Sequence, residues 1–265
     1  MMRRIGILGC GWLGLPLAKL LLLDGYKIKG TSTSPEKKLK LSKLGVESFY
    51  YLMGKNKLNS SFFESLDTLV ITIPFVKRGE RINNLYESIN QLISQIESES
   101  IKNIIYLSSI SVYDSLQGIV DESFICNPKS FSGISTLKIE NLFIQGNFIT
   151  TLIRLGGLIG EDRNPIYSLS GKEFDKGNEL INLIHQDDAI GIIKAAIKNI
   201  SSKNLIYNAV TPFHPTKKDY YSYIASRKKI LPPIFIETKS KKKVINSKKV
   251  VRDLNYIFKK DLNKV

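Results

Sequence analysis

The sequence predicts an α/β protein with a Rossmann-type doubly wound parallel sheet and a small C-terminal substrate lobe. An N-terminal apolar strand, a Gly-x-Gly-x-x-Gly turn and a helix follow one another, and several continuously apolar strands alternate with helical patterns further on. The length of 265 residues and the 43% apolar content suffice for one sizeable core. We therefore expect residues 1–265 to form a single domain, in which the smaller lobe, at about 208–265, is not independent.

The first strand ends at residue 8, and the glycine turn follows it directly. Gly9 permits the tight turn, Gly11 lets a phosphate approach the backbone, and Gly14 lets the helix pack closely. Amides at the helix start, those of Trp12 and Leu13 among them, attract an anion together with the helix dipole. The turn therefore predicts a binding site for the pyrophosphate of a dinucleotide.

Two other interpretations of this stretch exist. A signal peptide would need a continuous apolar segment and a small-residue cleavage site, but the glycines and Lys19 interrupt the segment and no such site follows. Alternatively, the three glycines serve packing only and the turn binds no ligand.

The second strand, at residues 26–31, indicates which dinucleotide is preferred. NAD-binding relatives of this fold usually carry an acidic residue at its end for the adenine ribose. This chain has hydroxyl residues at 31–34, with Ser32 and Thr33 among them, and Lys37 follows closely. No carboxylate there would repel a 2′-phosphate, so the sequence favours NADP, with NAD as the alternative.

The ends of the next two strands are also expected at the edge of the sheet that holds the cofactor. Residues 66–74 form a buried strand whose end, at Ile73 and Pro74, should border the cofactor. A helix over 81–97 precedes a strand that begins at residue 101, and hydroxyls crowd the end of that strand, where Ser108 is expected at the cofactor. Open α/β sheets hold their ligands at these carboxyl ends.

Several further motifs resemble the short-chain dehydrogenase/reductase superfamily, and more closely its extended and atypical branch of epimerases, dehydratases and YeeZ-like proteins. The resemblance runs nearly end to end and implies that Ser109 matches the catalytic Ser or Thr. The segments that resemble this superfamily are the glycine turn and residues 108–113, 120–122, 127–128, 153–160, 185–188 and 207–210.

The chain departs from this family at its catalytic Tyr-x-x-x-Lys pair, in which the lysine lowers the pKa of the proton-donating tyrosine. Aligned on the glutamate that follows the pair, Ser132 stands at the tyrosine and Thr136 at the lysine. Placing Lys138 at the lysine instead puts Ile134 at the tyrosine. Tyr113, on the turn after Ser109, is the candidate for a substitute acid.

Charge and composition restrict the partners. The formal net charge is +15, yet the basic residues are scattered, with the densest stretches at 227–229 and 239–249, so a solvated surface is favoured over a nucleic-acid interface. Two cysteines and two distant histidines do not indicate a metal site, and the low cysteine count favours a reducing, cytoplasmic compartment. No apolar run is long enough to span a bilayer. We expect a monomer or homodimer.

The sequence therefore predicts an NAD(P)-binding protein similar to short-chain dehydrogenases/reductases. If it is an enzyme, it is an oxidoreductase or an epimerase/dehydratase that acts on a small, sugar-like or anionic substrate. The alternative is a catalytically inactive NADP-binding sensor or regulatory module, and the missing Tyr-x-x-x-Lys pair favours that alternative.

Overall fold

The computed structural model describes residues 3–75, 82–236 and 242–262. Its strands are β1 (Arg4–Leu8), β2 (Lys27–Ser32), β3 (Glu47–Tyr50), β4 (Thr68–Ile71), β5 (Asn103–Ser109), β6 (Gly118–Val120), β7 (Ile149–Leu155), β8 (Gly157–Ile159), β9 (Glu173–Phe174), β10 (Leu183–His185), β11 (Leu205–Ala209), β12 (Ile234–Phe235) and β13 (Lys243–Ile245). Its α-helices are α1 (Gly14–Leu23), α2 (Pro35–Lys43), α3 (Ile82–Ser98), α4 (Phe131–Gln145), α5 (Ile166–Leu169), α6 (Gln186–Lys198), α7 (Lys217–Lys228) and α8 (Lys248–Leu254).

Within the described residues, seven strands form one sheet, in the order β11-β7-β5-β4-β1-β2-β3. Every neighbouring pair in it is parallel. The strand order reverses at β1, because β2 and β3 lie on one side of it and the later strands lie on the other. Such a reversal leaves a crevice at the carboxyl ends of β1 and β4. The predicted doubly wound parallel sheet is confirmed.

Apolar side chains cover both faces of this sheet. Along β1, Ile5 and Ile7 belong to a cluster with α1 and α6, whereas Leu8 belongs to a cluster with α3 and α4. In β4, Val70 lies in the first cluster and Ile71 in the second. Burial on both faces explains why the sequences of these strands are continuously apolar rather than alternating.

A third apolar cluster lies in the C-terminal part of the chain. Helix α7 contributes Tyr220 and Ile224, and the cluster also contains Ile159 and Ile181. The strand pairs β8–β10 and β9–β12 belong to this part as well. The lobe expected at about 208–265 therefore shares its apolar core with earlier residues, and β11, where that range begins, is an edge strand of the main sheet.

Some sequence predictions concern residues outside the described ranges, namely residue 81 at the predicted start of the third helix and residues 239–241 of the basic stretch. Among the residues that are described, no helix is long and apolar enough to cross a membrane. The same residues contain no group of three or more His, Cys, Asp or Glu side chains that could hold a metal ion.

Candidate dinucleotide site

The turn between β1 and α1 is held by contacts with β2 and with the segment after β4. Gly9 has a φ of +108°, a conformation that favours glycine. Its amide donates to Thr31 Oγ1 at 2.8 Å, and its carbonyl accepts a hydrogen bond from Thr72 Oγ1. The loop is thus positioned at the crevice where the strand order reverses.

The next two glycines differ in the space around them. A Cβ at Gly14 would lie 2.2 Å from the carbonyl oxygen of Gly9, whereas nothing lies within 4 Å of a Cβ placed on Gly11. Helix α1 begins at Gly14, and no side chain caps it from Leu13. The backbone at the start of α1 is therefore open to an anion, and the pyrophosphate of a dinucleotide fits this loop.

The indole of Trp12 ties the loop to the C-terminal half of the chain. Its Nε1 donates to Asp162 Oδ1 at 2.8 Å, and the Trp12 carbonyl accepts from Gln186 Nε2 at 2.6 Å. The Arg163 guanidinium lies 5.0 Å from the centroid of the ring. A Cβ on Gly160 would lie 2.8 Å from Trp12 Cζ2, so the ring packs directly on that backbone.

Hydroxyl residues occupy the end of β2, as the sequence indicates. Ser32 is buried, and its Oγ donates to the Ser34 carbonyl at 3.0 Å. Ser34 Oγ accepts from the Lys37 amide at 3.3 Å and caps α2. Thr33 and the side chain of Lys37 are exposed. Three residues are predicted here for the cofactor. Thr33 and Lys37 are open to a ligand, whereas the hydroxyl of Ser32 is bonded within the turn.

The end of β4 lies against the glycine loop. A Cβ on Gly9 would lie 3.0 Å from Ile73 Cγ1, and Pro74 is exposed. Of the two residues predicted to border the cofactor, Ile73 is thus next to the loop, and Pro74 follows it at the surface.

The two serines that end β5 have different surroundings. Ser108 is buried, and its Oγ donates to Glu140 Oε1 at 2.5 Å. Ser109 is half-buried, and its Oγ accepts from the Ser111 amide at 3.1 Å. The hydroxyl proton of Ser109 remains available to a ligand, whereas that of Ser108 is bound by Glu140.

Helix α4 carries the positions that correspond to the missing pair. Ser132 is exposed, and Thr136 is buried, with its Oγ1 accepting from Ser111 Oγ at 3.3 Å. The ammonium of Lys138 lies over the ring of Tyr86 in α3, 4.4 Å from its centroid. Lys138 is therefore directed at α3, and Thr136 faces the turn after β5.

Tyr113, which the sequence offers as a substitute acid, is fully buried. Its hydroxyl accepts from Arg154 Nη1 at 2.5 Å and donates to Asn208 Oδ1 at 3.1 Å. Burial raises the pKa of Tyr113 to about 12, although Arg154 opposes that shift. With both partners inside the protein, this hydroxyl has no open side toward a substrate.

Arg154 and Glu140 form a buried ion pair beneath the turn. Nε and Nη2 of Arg154 donate to the two carboxylate oxygens of Glu140 at 3.0 and 2.7 Å. Burial by itself disfavours the guanidinium, but the hydrogen bonds and charge of Glu140 outweigh burial and raise the pKa of Arg154. The bidentate geometry is typical of strong charge-assisted hydrogen bonds between arginine and a carboxylate.

Cavities lie beside α3 and beside the glycine loop. One of about 950 Å³ lies between α3 and residues 51–60. The other, of about 810 Å³, adjoins the glycine loop and is lined by Gly11, Trp12 and Lys37 among others. The second cavity therefore belongs to the same region as the predicted dinucleotide site.

Sequence comparisons agree with this geometry. Residues 4–119 match the NAD-binding domain of 6-phosphogluconate dehydrogenase. Protein YeeZ of Escherichia coli (strain K12) is 29% identical over 265 residues, which cover 97% of this chain and 96% of that protein. The chain therefore resembles YeeZ over nearly its full length, and its N-terminal part resembles an NAD-binding domain.

Solved structures share the fold of this chain. UDP-glucuronic acid 4-epimerase from Bacillus cereus, in complex with NAD, aligns with a TM-score of 0.82 and 17% identity, covering 98% of this chain and 95% of that one. A short-chain dehydrogenase/reductase superfamily protein from Agrobacterium tumefaciens with bound NAD aligns with a TM-score of 0.81 and 13% identity, covering 99% and 94%. These structures confirm the predicted fold, and the likeness to YeeZ confirms the predicted resemblance to YeeZ-like proteins.

The sequence did not predict several residues of this site. Glu140 served only to align α4, yet it binds Ser108 and Arg154. Lys40 and His185 line the cavity beside the glycine loop and were not predicted there. The spacing of Lys37 and Lys40, three residues apart in a helix and therefore on one face, was the available signal for Lys40.

Proposed function

We propose that this chain binds NADP across the carboxyl ends of β1, β2 and β4. The observation that carries the proposal is the open backbone at Gly11, at the start of a helix whose N-terminus no side chain caps. A helix start of this kind is a favourable place for the pyrophosphate. When bound, the nicotinamide would supply hydride transfer, and the protein would orient it.

The preference for NADP over NAD rests on the end of β2. Thr33 and Lys37 are exposed there, and the strand ends in hydroxyl residues instead of the carboxylate that holds the ribose in NAD-binding relatives. An ammonium group and hydroxyls suit a 2′-phosphate, and a carboxylate at the strand end would repel it.

The sequence leaves two functions open, an enzyme and a binding module. The site favours a binding module without tyrosine-based proton transfer. The serine at the tyrosine position, Ser132, is exposed, and Thr136 bonds to Ser111. Tyr113 is enclosed by Arg154 and Asn208. The loss of a positioned general acid typically costs about 10²- to 10⁴-fold in rate.

An oxidoreductase or epimerase is the second candidate, and Ser109 is the observation in its favour. Its hydroxyl is half-buried at the end of β5 and has a free proton for the oxygen of a substrate. Structural neighbours include an epimerase for UDP-glucuronic acid, so a small sugar-like or anionic substrate is the class to test. The cytoplasmic location, the single domain and the monomeric or homodimeric state stay predictions from the sequence.

Binding is tested by titrating NADPH and NADH into the protein while reading the emission of Trp12, the only tryptophan. We expect both dinucleotides to change the emission, with NADPH bound more tightly. Calorimetry on a Trp12→Phe variant serves as the control for binding that the indole does not report. If neither method detects either dinucleotide, the proposal is wrong.

Turnover separates the two candidate functions. We expect no change in the absorbance of NADPH with a panel of carbonyl compounds and nucleotide sugars, and an NADPH affinity for Ser109→Ala within about twofold of the wild type. Oxidation of NADPH that Ser109→Ala abolishes would establish the enzyme in place of the binding module.

A further inference from the structure

The cavity beside α3 is separate from the residues assigned to the dinucleotide. Its lining comes from residues 51–60 and from the stretch of chain between Glu87 and Glu99, most of which is α3. Among the described residues, none lines both this cavity and the one beside the glycine loop. Its volume of about 950 Å³ falls within the range of about 300 to 1,000 Å³ that is typical of small-molecule sites. We call this cavity the α3 cleft.

Two amide side chains hold the wall of the α3 cleft that faces the helix. Asn56 Oδ1 accepts from the Leu52 amide at 2.8 Å. Gln95 of α3 accepts from the Leu58 amide at 3.3 Å through Oε1 and donates to the Leu58 carbonyl through Nε2. This wall is therefore formed before a ligand arrives, and binding does not need to order it.

Tyr51 reaches the α3 cleft with a hydroxyl that has no hydrogen bond to any described residue. Its ring packs in the apolar cluster that α3 shares with β4, and the residue is only 5% exposed. The hydroxyl oxygen is still accessible, and Tyr51 lines the cleft. Burial raises the pKa of Tyr51 to about 12, so the hydroxyl keeps its proton and can donate it. A nearly buried hydroxyl without a partner is unfavourable, and a ligand in the cleft would supply the missing acceptor.

The rest of the lining is mostly polar. Asn90, Gln91 and Ser94 are exposed on α3, and Ser60 is exposed on the facing wall. None of these four side chains has a hydrogen bond within the part of the chain that the structure describes. Amide and hydroxyl groups both donate and accept, so they match a ligand rich in hydroxyls, which also do both. Leu92 is the one aliphatic hydrocarbon side chain among the described lining residues, so an apolar ligand fits poorly.

The charges of the α3 cleft balance. Lys55 and Lys57 lie on one wall, and Glu87 and Glu99 lie on the other. Two positive and two negative groups give no net attraction for an anion or a cation, which favours an uncharged ligand. Because a helix rises 1.5 Å per residue, the wall between the two glutamates is about 18 Å long. That length suits several linked sugar rings better than one.

We propose that the α3 cleft binds an uncharged oligosaccharide. The hydroxyl of Tyr51 donates to an oxygen of one sugar, and the amides of Asn90 and Gln91 pair with hydroxyls of the neighbouring sugars. This would be a second binding activity of the chain. It does not depend on the proposed function, because the cleft and the cavity beside the glycine loop are lined by different residues.

Saturation-transfer NMR titrations of the full chain with maltotriose, cellotriose and triacetylchitotriose test the proposal. Trialanine and inorganic phosphate are the probes for a peptide and an anion. Tyr51→Phe removes only a hydroxyl and breaks no hydrogen bond among the described residues, so we expect it to fold as the wild type does. Tyr26→Phe is the matched control, because Tyr26 is half-buried, its hydroxyl also has no partner among those residues, and it lines neither cavity.

We expect at least one trisaccharide to bind the wild type, and Tyr51→Phe to raise its Kd by about threefold to tenfold, as for one lost hydrogen bond. Tyr26→Phe should stay within about twofold of the wild type. Asn90→Ala should weaken the same trisaccharide by a similar factor. Its control is Asn141→Ala, because Asn141 is an exposed asparagine on α4 that lines neither cavity.

The proposal is overturned if no trisaccharide binds, or if neither Tyr51→Phe nor Asn90→Ala differs from its control. Binding of trialanine or phosphate in place of the trisaccharides, lost in Tyr51→Phe, would also refute it, because the cleft would then hold another class of ligand.

NADPH separates this proposal from the proposed function. Saturation with NADPH should leave the Kd of the trisaccharide within about twofold, because the two sites are separate. Displacement of the trisaccharide by NADPH would place it in the dinucleotide site and overturn the proposal. Trisaccharide binding through Tyr51 by a chain that binds neither dinucleotide would leave this proposal standing and refute the proposed function.

Discussion

The glycine-loop edge and the region beneath the turn after β5 differ in whether their polar groups have partners within the protein. At the loop edge, Gly11 borders open space, and Lys37 and Lys40 have no protein partner among the described residues. Beneath the turn, Arg154 bonds to both Glu140 and Tyr113. The donors at the loop edge are open to a ligand, whereas the donors and acceptors beneath the turn are bonded to one another.

This difference is consistent with the proposed function, in which the chain binds a dinucleotide without a Tyr-x-x-x-Lys pair. A buried charge is costly unless its hydrogen bonds are complete, so the polar groups beneath the turn are held in one arrangement. Groups at the loop edge stay solvated until a ligand arrives. Substitutions should therefore affect stability in the paired region and binding at the open one, and four predictions test this contrast.

The largest expected effect is that of Arg154→Met. It leaves the carboxylate of Glu140, which is 0% exposed, without its partner, and we expect the free energy of unfolding in urea to fall by about 3 to 5 kcal/mol. The double variant Glu140→Leu/Arg154→Met should recover most of that loss. NADPH affinity should change little, and a loss of stability below about 1 kcal/mol would contradict a structural role for the pair.

Gly14→Ala and Gly11→Ala form a matched pair within the loop. The new methyl at Gly14 would meet the Gly9 carbonyl, so we expect a loss of about 1 to 3 kcal/mol in stability. The methyl at Gly11 meets nothing, so stability should stay within about 0.5 kcal/mol, while calorimetry should show weaker NADPH binding. Equal stability of the two variants would disprove the assigned difference between the glycines.

Tyr113→Phe tests whether Tyr113 has a structural role or the predicted role of a substitute acid. The change leaves Arg154 Nη1 and Asn208 Oδ1 without their shared partner, which should cost about 1 kcal/mol of unfolding free energy. Affinity for NADPH and any turnover should stay at wild-type values. A selective loss of turnover in a fully stable variant would restore Tyr113 as a catalytic residue.

The smallest expected effect is a pH dependence due to His185. Burial lowers its pKa in the folded chain, so below the unfolded value of about 6.5 the unfolded chain binds more protons, and stability falls with falling pH. We expect the thermal midpoint to drop on acidification from about pH 7.5 to about pH 5.5. His185→Asn should show a shallower drop, with the remainder due partly to His214, whose pKa burial also lowers. Identical slopes would exclude His185 as a contributor.

Much of the fold could be predicted because its signals are local. The central strands β1 and β4 appear in the sequence as apolar runs, and the turn at Gly9 to Gly14 appears as a fixed spacing of glycines. The absence of a tyrosine at position 132 is equally visible. The hydroxyl end of β2 could also be placed, because it depends only on where the second strand stops.

The roles of single side chains were harder to predict. Tyr113 follows Ser109 on the same turn, and nearness in sequence made it the candidate acid, but its hydroxyl is turned inward to Arg154 and Asn208. Likewise, Ser108 was placed at the cofactor, and its hydroxyl bonds to Glu140 instead. A strand end specifies which edge a residue reaches, but not which neighbour its side chain meets.

What the sequence predicts and what only the tertiary structure decides therefore differ in the distance along the chain between the residues involved. Spacing within a few tens of residues established the strands, the glycine loop and the missing tyrosine, because these depend on backbone periodicity and on the conformations that glycine permits. The sheet brought together partners far apart in sequence, such as Trp12 with Asp162 and Tyr113 with Asn208. Only the packed sheet could decide which donors pair inside the protein and which, like Lys37 and Lys40, remain open to a ligand.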